Sequence, residues 1–80
     1  MSQGYSTRLV EVNRKENRRH LGVALGRVCI RAQIPVTTVA EKFQVSRQSV
    51  YSWFKGESLP RPELTREIEK YISQVERKLG

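Results

Sequence analysis

The stretch Val36-Thr37-Thr38-Val39-Ala40-Glu41-Lys42-Phe43-Gln44-Val45-Ser46-Arg47-Gln48-Ser49-Val50-Tyr51-Ser52-Trp53-Phe54-Lys55 decides the fold. Apolar residues fall at Val39, Phe43, Val45, Val50 and Trp53, and a small Ala40 stands where two helices would cross. The spacing predicts one helix from about Val36 to Gln44 and a second from about Arg47 to Phe54. Gln44-Val45-Ser46 is the turn between them. Ser46 is the expected N-cap of the second helix, its hydroxyl meeting free N–H groups of the first turn. Lys55-Gly56 ends that helix, because glycine adopts the left-handed conformation at little cost. The run Ser46-Arg47-Gln48-Ser49 is polar and points away from the core.

Outward on the C-terminal side, Glu57 to Pro62 is a loop stiffened by Pro60 and Pro62. Pro62-Glu63 then opens a long helix to Leu79, with Glu63 and Glu67 near the positive end of its dipole and Arg77 and Lys78 at the other. Leu64, Ile68, Tyr71, Ile72, Val75 and Leu79 make its apolar stripe. On the N-terminal side, Leu21, Leu25, Val28, Cys29 and Ala32 recur at spacings of three and four, predicting a helix from about Glu16 to Gln33. Gly22 and Gly26 weaken that helix by roughly 1 kcal/mol each, and leave a shallow groove for close helix approach. Pro35 ends it and starts the next. Residues 1–15 read as a basic, flexible arm; within it Arg8 to Val12 could alternatively pair as a short strand with a partner chain. The expected fold is therefore all-α: a compact domain of four to five helices over residues 16–80, with a reading unit at 36–55 and a C-terminal helix at 62–79.

Eighty residues suffice for one small domain. Fifteen Lys and Arg against eight Asp and Glu leave a net charge of +7. The excess is +5 in residues 1–33, +2 in 34–61 and zero in 62–80. Such a gradient favours a polyanionic partner on the N-terminal side and at the two-helix unit. No apolar run approaches the roughly 20 residues needed to span a bilayer, and no signal-peptide core is visible, so no membrane role is expected. A single Cys29 excludes an internal disulfide and a cysteine-based zinc site, and suits a reducing cytoplasm. One His, one Cys, no Asp and no glycine-rich phosphate loop argue against an enzyme and against a metal or cofactor. Cys29 and Trp53 lie on apolar faces and are expected in the core, and one of Tyr51 and Phe54 should face outward.

The residues Val39-Ala40-Glu41-Lys42-Phe43, Val45-Ser46-Arg47-Gln48-Ser49-Val50 and Trp53-Phe54-Lys55-Gly56 resemble the lambda-repressor/Cro-like (XRE-type) family of helix-turn-helix regulators. The likeness runs from Leu21 to about Ile72, roughly two thirds of the chain. It implies a domain that binds operator DNA, usually as a symmetric dimer. It implies that Arg47 and Gln48 read bases, with Ser49 and Ser52 close to bases as well. Ser46 and Lys55 match backbone-contacting positions, and Arg61 lies where some relatives send a basic side chain toward phosphate. Two positions depart from the family pattern: Gln44 stands where Gly is frequent in the turn, and Val36 where Gln frequently contacts the backbone.

Chemistry points the same way as the resemblance. Arginine pairs with O6 and N7 of guanine and glutamine with N6 and N7 of adenine, each good pair discriminating by roughly 1–3 kcal/mol. Tyr51 is a further candidate for the DNA backbone, and the cluster Arg14, Lys15, Arg18 and Arg19 for flanking phosphates. The resulting expectation is a sequence-specific, double-stranded DNA-binding regulator of the small phage or prophage repressor type, located in the cytoplasm. The C-terminal helix is the expected homodimer seam. The alternative keeps the fold but changes the partner: a protein such as host transcription machinery, or DNA recruited without sequence preference.

Overall fold

The computed structural model describes residues 5–16 and 20–80. Five α-helices follow in order: α1 (Thr7–Lys15), α2 (Leu21–Ala32), α3 (Val36–Phe43), α4 (Arg47–Lys55) and α5 (Thr65–Leu79). A 3-10 turn over Pro62–Leu64 leads into α5, and no strand occurs among the described residues. The molecule is a small all-α domain.

Local chemistry accounts for the helix ends. The Ser6 hydroxyl accepts the Leu9 N–H at 3.2 Å to open α1, and the Ser46 hydroxyl accepts the Ser49 N–H at 3.1 Å to open α4. At the start of α2 the acceptor is an imidazole nitrogen, Nδ1 of His20, which takes the Val23 N–H at 3.3 Å. Pro35 does not enter α3 as its first turn; it is the N-cap, with extended backbone. Helices α2, α3 and α4 all end the same way. Gln33, Gln44 and Gly56 take left-handed backbone with φ of 57°, 56° and 77°. The following residues, Ile34, Val45 and Glu57, donate back to Cys29, Ala40 and Ser52 at 2.9, 3.0 and 2.9 Å. These bonds satisfy carbonyls that a helix end would otherwise leave unpaired.

The core gathers around α2 and α4. Leu25 and Cys29 of α2 meet Val50, Trp53 and Phe54 of α4, Val39, Ala40 and Phe43 of α3, and Ile68 of α5, all buried. The Gly22–Gly26 groove is where α4 seats. A Cβ at Gly22 would stand 2.7 Å from Trp53 Cβ and 2.8 Å from the Trp53 carbonyl oxygen; one at Gly26 would stand 2.7 Å from Phe54 Cγ. These glycines exchange helix propensity for close approach of two axes. Phe43 forms edge-on pairs with Trp53 and Tyr71, at centroid distances of 6.5 and 5.7 Å, tying α3 to α4 and α5.

Residues 7–15, read from sequence as part of an arm, form α1, and the helical backbone of Arg8–Val12 removes the strand alternative. The physical reason lies on one face of the helix: Leu9 and Asn13, four residues apart, are both buried. Tyr5 precedes them, its ring 6.2 Å from Phe54 and its hydroxyl donating to the Ile34 carbonyl. The α2 helix correspondingly starts at Leu21 rather than Glu16, because Glu16 is extended and His20 caps.

Candidate functional site

The turn between α3 and α4 is built so that the first turn of α4 stands free. Ala40, Val45 and Val50 close the inner side of the crossing, while Ser46, Arg47 and Gln48 are exposed. Ser46 serves two bonds: it accepts the Ser49 N–H and donates to Ser49 Oγ at 3.1 Å. That pair stiffens the turn carrying Arg47 and Gln48. Along α4, Val50, Trp53 and Phe54 face the core; Gln48, Tyr51, Ser52 and Lys55 share the opposite side. Tyr51 is the outward-facing member of its pair at 42% exposure, against 0% for Phe54. The Thr37 and Thr38 side chains lie exposed at the uncapped start of α3, and a shallow groove runs from Thr37 past Glu41 and Gln44 to Arg47.

The basic residues fall into three places. Lys55, half-buried at the end of α4, is 3.8 Å from Glu57 Oε2, so a phosphate would compete with a solvent-exposed carboxylate for it. Arg61 lies beside the turn residue Gln44, in a depression also lined by Glu63 and Leu64. Arg14 and Lys15 are exposed in the last turn of α1. There they suit the negative end of the helix dipole, whereas the sequence alone left them in a flexible arm. Arg14 lines a cleft between α1 and α2 together with Arg27 and Arg31. Arg18 and Arg19 lie outside the described residues. The structure thus brings Ser46, Arg47, Gln48, Ser49, Tyr51, Ser52 and Lys55 onto one helix, with Arg61 at the adjoining turn and Arg14 and Lys15 on a separate element.

Comparison of the chain with family models, curated proteins and solved structures yields no match. Geometry and chemistry therefore carry the functional reading.

Two residues of the neighbourhood escaped the sequence reading. Arg27 donates from Nη2 to the carbonyls of Asn13 and Arg14, at 2.9 and 3.1 Å. Asn13, with 2% exposure, donates from Nδ2 to the carbonyls of Val23 and Phe54, at 3.1 and 2.8 Å. Neither role has a local signal, since each appears only once residues 7–15 are known to be helical. Burial pushes the Cys29 thiol up to about 12, and also raises the hydroxyls of Tyr5 and Tyr71 above the ordinary tyrosine value. These groups stay protonated near neutrality and offer no nucleophile. Among the described residues no cluster of metal-ligating side chains occurs, and no helix is long and apolar enough to cross a membrane.

Proposed function

We propose that the protein is a sequence-specific, double-stranded DNA-binding regulator of the lambda-repressor/Cro-like kind, with α4 as its reading helix. One observation carries the reading: Arg47 and Gln48 are exposed on the first turn of a helix that is locked to the core by Val50, Trp53 and Phe54. Arginine and glutamine in that setting are the two side chains best suited to guanine and adenine edges in the major groove. Ser49 and Ser52 lie within the same reach. Ser46, Tyr51, Lys55 and Arg61 flank them as backbone contacts, and Arg14, Lys15, Arg18 and Arg19 add positive charge outside the reading helix. The protein works in the cytoplasm, needs no cofactor and catalyses no reaction.

A homodimer through α5 completes the reading. Leu79 at the end of α5 and Ile34 before α3 border a groove with Ala32, Tyr71 and Val75 that a second copy would cover. Such a pair would have to set two α4 helices about 34 Å apart to meet successive major grooves.

Selection from random double-stranded DNA, at low and at physiological salt, tests the proposal. A palindromic motif enriched at both salts supports a dimeric regulator. Binding that is blind to sequence and lost with salt supports recruitment of DNA without preference, and no binding supports a protein partner.

A further inference from the structure

We propose that Asn13 positions the reading helix, acting from α1 as a long-range C-cap of α4. The inference rests on α4 being the reading helix, but its physical basis is independent of DNA. The left-handed end of α4 directs the Gly56 N–H to the Trp53 carbonyl and the Glu57 N–H to the Ser52 carbonyl. Neither of those capping bonds reaches the Phe54 carbonyl. Phe54 is fully buried, so water is a poor substitute, and a buried carbonyl without a donor is costly. Asn13, 41 residues away in the chain, supplies the donor at 2.8 Å. Its second bond, to Val23 at 3.1 Å, holds the same amide to α2.

The amide is itself held in place. Arg27 clamps the carbonyls of Asn13 and Arg14 and so fixes the end of α1 against α2. Gly26 leaves the space: a Cβ there would stand 2.7 Å from Asn13 Nδ2. At the same end of α4, a Cβ on Gly56 would come within 3.0 Å of Glu16 Oε1, so Glu16, the C-cap of α1, abuts the end of α4. Asn13 is the one buried polar residue of the described core. A leucine of similar size would suit an apolar core without these bonds. An amide with two donors on two helices fixes relative height as well as contact, and hydrogen bonds are more directional than apolar packing. Base reading needs that height, since displacements of about 1 Å cost large factors where geometry is demanding.

The test compares Asn13→Leu, which removes both donors, with Leu9→Ala, which loosens α1 without touching them. Two quantities are measured where both variants are folded: hydrogen exchange of the Lys55, Gly56 and Glu57 amides relative to those of α3, and the ratio of affinities for a selected site and for random DNA. The expected result is selective loss of protection at the end of α4 in Asn13→Leu, with the affinity ratio falling roughly tenfold, and neither change in Leu9→Ala. Equal behaviour of the two variants, or unchanged protection in Asn13→Leu, would overturn the proposal. Should Asn13→Leu not fold, Asn13→Ser, too short to bridge both carbonyls, replaces it under the same criteria. If the native protein selects no site, the DNA reading fails, and the exchange comparison alone still decides whether Asn13 caps α4.

Discussion

Gln44 occupies left-handed backbone at the turn on which α4 pivots, and its φ of 56° is a conformation that a side chain makes unfavourable by about 1 kcal/mol. The capping bond from Val45 to Ala40, and the packing of Val45 against the core, hold it there. Gln44→Gly relieves the strain and loses part of the gain to the freer unfolded chain. The expected net is a stabilisation of about 0–0.6 kcal/mol in urea unfolding; a loss of stability would mean that the glutamine side chain makes contacts that outweigh its backbone. Cys29 illustrates the converse, a residue comfortable in place and costly to ionise. Its thiol, raised from 9.0 to about 12 by burial, keeps its proton in the folded state more tightly than in the unfolded chain. That contribution to stability is whole below pH 9 and is lost as pH rises toward 12. Unfolding free energy should therefore fall more steeply between pH 9 and 11 in the native protein than in Cys29→Ala. Parallel slopes would contradict burial as the cause.

At the scale of elements, the α2–α4 contact decides how the domain is assembled. Helix propensity alone predicts that Gly22→Ala stabilises α2 by about 1 kcal/mol. The crossing predicts the opposite, because the new methyl would meet Trp53 backbone atoms that cannot yield without moving α4. With an overpacking cost near the upper end of about 1–3 kcal/mol, the expected outcome is a net destabilisation of about 2 kcal/mol in urea unfolding. A stabilised variant would mean that α2 and α4 stand further apart. Much of this architecture was legible beforehand, because its signals are local. The α3 and α4 spans follow from periodicity, the Ser46 cap and Gly56 end from side-chain chemistry, and the glycine groove from a spacing of four. What was not legible is α1. Its buried face pairs Leu9 with Asn13, a polar residue that carries no apolar signal, and its anchors at Phe54 and Val23 are distant in sequence. Missing α1 also hid the partners of Arg27 and left Arg14 and Lys15 in the arm.

For the whole molecule, charge and shape combine into one proposal. The acidic residues that balance the chain concentrate in its last 19 residues, while residues 1–61 hold the entire excess of +7. The exposed side of α4 belongs to that positive part, and the core behind it gathers residues of α1, α2, α3 and α5. A positive surface by itself supports binding to any polyanion; only Arg47 and Gln48 on an ordered first turn support discrimination among sequences. The decisive measurement is the ratio of affinity for a selected DNA site to affinity for random duplex, at fixed salt, in the native protein and in Arg47→Ala. Direct reading by α4 predicts that the ratio falls by roughly tenfold or more while affinity for random duplex changes little. Equal loss at both kinds of DNA would contradict it and reduce Arg47 to one cation among many.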